Sequence, residues 1–132
     1  MAWKVQWDTQ RGVVYTTYSD TVTKQDLLDS MAETLRMIEG KGPQKFFTEW
    51  ISAFPKLSTA EIFSVPKDWE AAGIDKESIL AVVVQKDAKS WEDAKFYENV
   101  CRNRGWRVRV FDDRTEALAW LEKQEIVPPK KR

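Results

Sequence analysis

The stretch ILAVVVQKDAKSWEDAKFYENVCRNRGWRVRVF, Ile79–Phe111, decides the fold. Ile79 to Val84 is a continuous apolar run rich in β-branched residues, of the length expected for a strand buried on both faces of a parallel sheet. The period then changes. From Ser90 to Arg104 the residues Trp91, Ala94, Tyr97, Val100 and Cys101 fall near one face of a helix, and Gly105 is placed as its C-terminal stop. Trp106 to Phe111 returns to alternation, with Trp106, Val108 and Val110 set against Arg107 and Arg109. A buried strand, a helix and a second strand in that order predict a parallel βαβ crossover.

The flanks extend the same pattern. Trp3, Val5 and Trp7 alternate with polar residues, Asp8 to Gly12 supplies turn chemistry, and Val13 to Tyr18 is again β-forming, so the chain should open on an antiparallel hairpin. Thr23 and Asp26 resemble a capping box before an apolar stripe of Leu27, Leu28, Met31, Leu35 and Ile38, and Gly40 to Pro43 stops that helix. Phe46 to Ile51 reads as another buried strand. Ser58 and Glu61 form a second capping box, opening a short helix that Pro66 should break or restart before Gly73 ends it. Asp113 and Glu116 cap a last helix through Leu121. The expected architecture is α/β, one domain over residues 1–126 with a mostly parallel five-stranded sheet, crossover helices and an N-terminal antiparallel hairpin. Residues 127–132 are Pro- and Lys-rich and read as a flexible basic tail.

Composition excludes several function classes. The chain of 132 residues contains no histidine, which removes histidine-dependent triads, histidine metal sites and His-based pH switching. Its 21 basic and 21 acidic residues cancel, so it lacks the basic footprint of a nucleic-acid binder. No apolar run reaches the ~18 residues of a membrane span, and Met1 to Trp7 alternates where a signal peptide would be continuously apolar. A lone Cys101 cannot form an internal disulfide. These features predict a cytoplasmic protein with no integral membrane association, and nothing in the sequence calls for a cofactor or a metal.

Lys95-Phe96-Tyr97-Glu98-Asn99-Val100-Cys101-Arg102-Asn103-Arg104-Gly105, and then Val110-Phe111-Asp112-Asp113-Arg114-Thr115-Glu116-Ala117-Leu118-Ala119-Trp120-Leu121, resemble the closing half of bacterial SpoIIAA-like proteins. The Trp-bearing hairpin and the Thr-x-x-Asp start of the first helix are similar as well. Those proteins are relatives of the STAS domains, and the CRAL-TRIO lipid-binding fold has a comparable architecture. The resemblance implies a βα superhelix with an extra hairpin, regulation through protein partners, and an apolar ligand cavity. In anti-sigma-factor antagonists the switch is an Asp-Ser-Ser/Thr-Gly motif whose serine is phosphorylated. Here the nearest counterpart is Ser58-Thr59-Ala60-Glu61, which follows Leu57 and lacks the glycine. Ser58 is thus the phospho-switch candidate, with the N-cap role as its alternative.

Chemistry-bearing residues are few. Glu49, Gln85, Lys86 and Asp112 fall at or just after the carboxyl ends of the presumed parallel strands, where open α/β sheets place ligands. Glu49 interrupts an apolar strand, so it must find a partner or take up a proton. Cys101 lies on the packed helix face and reads as a structural thiol. Arg102, Arg104, Arg107 and Arg109 form a basic cluster suited either to an anion or to a solvated sheet edge. Seven tryptophans are the unusual count. Trp106 and Trp120 read as core. Trp3, Trp7, Trp50 and Trp69 come from segments able to surround one cavity, as well as to fill a core. A noncatalytic module binding a small apolar ligand, with Trp7, Trp50, Trp69 and the polar strand ends around it, ranks first. A STAS-like interaction module, such as a homodimer, ranks second. An enzyme using Glu49 or Asp112 as acid or base ranks last, because no nucleophile and base pair or phosphate loop is visible.

Overall fold

The computed structural model describes residues 2–39, 41–51 and 58–126. The tail at 127–132 and the helix stop at Gly40 lie outside the described residues. Among the described residues nine elements follow one another: β1 (Trp3–Asp8), β2 (Val13–Tyr18), α1 (Lys24–Ile38), β3 (Lys45–Trp50), α2 (Thr59–Ala72), β4 (Ile79–Val83), α3 (Ala88–Asn103), β5 (Arg107–Phe111) and α4 (Arg114–Lys123). They form a five-stranded sheet in the order β1-β2-β3-β4-β5. β1 runs antiparallel to β2, and every later pair is parallel. This α/β order is the one the alternating periods predict.

Local chemistry sets the element ends. In the hairpin the Asp8 carboxylate accepts the N–H groups of Gln10 and Arg11 at 3.0 Å each, and Gly12 takes a φ of 67° while donating to the Asp8 carbonyl at 2.8 Å. A side chain at Gly12 would be strained at that φ. Both expected capping boxes are formed, Thr23 with Asp26 and Ser58 with Glu61. Asp87 caps α3 and Asp113 caps α4 through single side-chain bonds. Gly73 closes α2 in the left-handed conformation, φ 86°.

α2 corrects one expectation, since it continues through Pro66 without a break. Proline in a helix interior forfeits a backbone bond and costs about 3 kcal/mol. Pro66 is fully buried, and Ile62, Val65 and Trp69 carry the inward stripe past it into the main core. Tertiary packing on both sides of the proline outweighs the local penalty.

Helices divide unequally between the two sheet faces. One face packs Tyr18, Trp50, Val82, Val108 and Val110 against residues of α1, α2 and α3. The other packs Val13, Phe47, Ala81 and Phe111 against Ala117 and Leu121 of α4. The period-2 pleat accounts for this separation, because alternate residues of each strand point to opposite faces. Trp3, Val5 and Trp7 of β1 pack with Val14 and Ile38 in a third cluster beside the first. No helix of the described residues is long and apolar enough to cross a membrane.

β5 is a sheet edge, and a buried glutamate covers part of it. Glu98 on α3 is 2% exposed; its Oε2 accepts the backbone N–H of Val110 at 2.6 Å, and its Oε1 accepts from Lys95 Nζ at 2.6 Å. An edge amide that would otherwise invite a foreign strand is thereby occupied. Glu98→Ala should destabilise the protein by about 1–3 kcal/mol, because it orphans a buried donor. Urea unfolding checks the magnitude. Hydrogen exchange at Val110 should accelerate most, and Glu98→Gln, which keeps an acceptor, should lose less.

Candidate functional site

The inward face of α1 carries hydroxyls where its strongest stripe is aliphatic. Ser30, Thr34 and Ile38 are its buried residues, spaced four apart, whereas Leu27, Leu28, Met31 and Leu35 are only half-buried. Below them on the sheet lie Thr16 of β2 and Thr48 of β3, which are directly opposite each other in register. Four short hydroxyl side chains therefore line the same helix–sheet interface. They leave unfilled a cavity of about 130 Å³.

Aromatic rings wall this space. Tyr18 stacks on Trp50 with centroids 4.2 Å apart and planes 15° from parallel. Trp69 meets Tyr97 and Trp106 edge-on at 6.1 and 5.2 Å. All five rings border the cavity, together with Val82, Val108 and Leu27. At one end α1 is tied to α2 by Lys24, whose Nζ bonds Ser64 Oγ at 2.8 Å and Asp68 Oδ2 at 2.7 Å. The ammonium is spent on that clamp.

Most polar groups of the α1 side are satisfied internally. Ser30 Oγ donates to the Leu27 carbonyl at 3.0 Å, so it accepts the Tyr18 hydroxyl at 2.6 Å. Thr34 Oγ1 donates to the Ser30 carbonyl at 2.9 Å. Burial pushes the Tyr18 phenol up to about 12, the bond to Ser30 opposing the shift and Asp26 adding to it. Burial also drives Tyr97 well above its usual value and the Cys101 thiol up to about 12. Among the described residues the indole Nε1 atoms of Trp7 and Trp106 are buried without an acceptor.

The structure gathers some of the sequence-derived candidates and separates others. Trp50 and Trp69 both line the cavity. Trp7 packs with Val5, Val14 and Ile38 in the neighbouring cluster instead. Gln85 reaches the end of β3, donating to the carbonyls of Trp50 at 3.1 Å and Ile51 at 2.6 Å. Glu49 points to the α4 side, where Arg114 pairs with it at 3.2 Å. Lys86 and Asp112 are exposed just beyond β4 and β5. Ser58 is the exposed N-cap of α2, its Oγ accepting the Glu61 N–H at 3.1 Å. In the arginine cluster, Arg104 pairs with Glu70 at 2.8 Å, Arg107 donates to the Glu125 carbonyl at 3.3 Å, and Arg109 lies over Phe111.

Topology explains why the cavity lies between helices and sheet and not in a crevice beyond the carboxyl strand ends. Ligand crevices arise there where the strand order reverses and neighbouring helices depart to opposite faces. From β2 to β5 the order never reverses, and α1 to α3 all lie on one face. The open space is accordingly between helix and sheet, running from Tyr18 and Trp50 at the carboxyl ends of β2 and β3 to Ser78, Leu80 and Trp106 near the amino ends of β4 and β5. Thr16, Thr48, Ser30 and Thr34 were not singled out by sequence reasoning. Their signal was Ser30 and Thr34, four apart within an apolar helical stripe.

No family model matches this chain, and no curated protein or solved structure matches it either.

The raised values of Tyr18, Tyr97 and Cys101 define an alkaline limit. Each group is held protonated in the folded state, so its contribution is complete below the unfolded value, near 9 for the thiol and 10 for the phenols, and is lost as pH rises through the folded value, about 12 for Cys101 and Tyr18 and well above the ordinary phenol value for Tyr97. Stability measured by urea unfolding should therefore fall above pH ~9, each group adding up to about 1.4 kcal/mol per pH unit. Tyr18→Phe should flatten the part of this slope that lies above pH ~10.

Proposed function

We propose that this chain is a noncatalytic binding module of the SpoIIAA-like, STAS-related kind, working in the cytoplasm, which holds a small, uncharged, mostly apolar ligand beneath α1 and α2. The observation that carries this reading is the cavity itself, bordered by six aromatic residues and floored by hydroxyls. The cavity is partly open, and a ligand that covers its apolar walls gains the free energy of the area it buries, about 25 cal/mol per Å². Cavities of about 150 Å³ with apolar walls accept a benzene ring, so the ligand core is one ring or a short branched chain.

The distribution of reactive groups supports binding over catalysis. Glu49 is committed to Arg114 on the other face, and Lys86 and Asp112 lie outside the lining. The Cys101 thiol is buried, and its pKa of about 12 keeps it from forming the nucleophilic thiolate at neutral pH. Ser58 is engaged in a capping box, and a phosphate there would sit beside the Glu61 carboxylate. These contacts argue for a module without the phosphorylation switch.

Native mass spectrometry of freshly purified protein tests the reading, with titration of ethylbenzene followed by tryptophan fluorescence as a defined probe. Binding should be saturable. Thr34→Leu, which fills the cavity and favours the helix, should raise the stability of the ligand-free protein by about 1 kcal/mol and weaken ethylbenzene binding at least about tenfold. Ligand-free protein that ignores the probe would remove the proposal.

A second reading draws on Phe63 of α2 and Phe96 of α3, which are 47% and 39% exposed and meet edge-on at 5.9 Å. Exposed aromatic pairs are typical of contact surfaces. Self-association through this pair predicts a dimer by light scattering that Phe63→Asp converts to monomer. A wild-type monomer at all concentrations would dismiss it.

A further inference from the structure

We infer that the cavity selects a neutral ligand bearing a single hydrogen-bonding oxygen, such as a ketone or alcohol on an apolar skeleton, and that Thr16 and Thr48 hold that oxygen; this rests on the binding role proposed above. The two threonines face each other across the β2–β3 pair and both line the cavity. Their neighbours in the same row across the sheet are Val5 beside Thr16 and Val82 beside Thr48. A pair of hydroxyls thus interrupts an otherwise aliphatic row.

These hydroxyls differ from the others in the lining. Tyr18, Ser30 and Thr34 spend their donors on one another or on α1 carbonyls. Among the described residues the hydroxyls of Thr16 and Thr48 have no protein hydrogen-bond partner, yet they are not sealed away in the manner of the Trp7 and Trp106 indoles. Each hydroxyl can donate once and accept twice. Neighbouring strands lie about 4.8 Å apart. A single ligand oxygen standing a little above the midpoint of two like-oriented hydroxyls is about 2.8 Å from both, the ordinary O–H···O distance.

Charge in the lining narrows the class further. Lys24 is not among the lining residues and is turned to Ser64 and Asp68, while Arg107, between the inward-facing Trp106 and Val108, directs its guanidinium to the α4 side of the sheet, where it donates to the Glu125 carbonyl. A carboxylate or ammonium on the ligand would be buried there without a counter-charge. A pure hydrocarbon would leave both threonine hydroxyls desolvated and unpaired. The neutral oxygenated ligand satisfies the two constraints together.

Three probes of equal ring size separate the cases: ethylbenzene, acetophenone and benzoate, titrated into the full-length protein and followed by fluorescence and by NMR. Acetophenone should bind about tenfold more tightly than ethylbenzene, the worth of one to two net hydrogen bonds. Benzoate should bind most weakly. In the double variant Thr16→Val, Thr48→Val, ethylbenzene should bind at least as tightly as acetophenone. Equal affinities in the wild type, tightest binding of benzoate, or a ketone preference that survives in the double variant would each overturn the inference while leaving apolar binding intact. Failure of all three probes to bind would overturn the binding role and this inference with it. Should the double variant not fold, proximity of the acetophenone methyl to the Thr16 and Thr48 methyls in the wild-type NMR spectrum decides, and its absence counts against the proposal.

Discussion

Sequential pairing of β2, β3, β4 and β5 is the constraint on which the arrangement above the sheet depends. Each parallel neighbour must be reached by a crossover, and crossovers of one hand in an order that never reverses deliver their helices to the same face. α1, α2 and α3 are therefore crowded onto one side, while among the described residues α4, with Ile126 beyond it, covers Phe47, Ala81 and Phe111 on the other. Side-chain size must then reconcile three helices with one sheet. Where large rings meet, as at Trp69, Tyr97 and Trp106, the layers interlock. Where Ser30 and Thr34 look down on Thr16 and Thr48, no side chain of the described residues reaches far enough to close the gap.

The gap is not explained by poor core composition, since Leu27, Leu28, Met31 and Leu35 stand on the same helix, only half-buried. Two interactions hold α1 in its observed orientation: the bond between Tyr18 and Ser30, and the Lys24 clamp onto Ser64 and Asp68 of α2. Buried polar bonds contribute little net energy when made, but breaking one leaves a desolvated group behind. They act here as a register device, holding α1 in the orientation that keeps the cavity open.

Sequence legibility follows the range of the interaction concerned. Caps at Thr23, Ser58, Asp87 and Asp113 are satisfied within three residues, and the capping pairs at Thr23, Ser58 and Asp113 could be read locally; the βαβ unit from Ile79 to Phe111 declared itself by a change of period. Cys101 on the packed face of α3 was readable for the same reason. Pro66 was misleading because a local penalty was weighed without the packing of Ile62, Val65 and Trp69 around it. Glu98 could not be recognised as an edge cover, since its partner is a backbone amide twelve residues away in another element. The candidate site was half legible. Trp50 and Trp69 were visible as large rings near one another in the topology, whereas the hydroxyls opposite them depend on the rotation of α1 and on strand register, which no local pattern encodes.

Rigidity of the walls bears on what such a cavity can achieve. A ligand that must order loose side chains loses part of its contact energy to their lost freedom, about 0.5–1.5 kcal/mol for each long side chain fixed. Tyr18 and Trp50 are already stacked on adjacent strands, and Trp106 is held between the edge of Trp69 and the ammonium of Lys76, which is itself bonded to Glu70 and to the Arg104 carbonyl. The lining is ordered before anything enters it. Affinity in this setting is governed by shape and by the match of a few polar atoms, so substitutions at the short hydroxyl residues should alter selectivity more than substitutions among the rings, whose loss would collapse the walls instead.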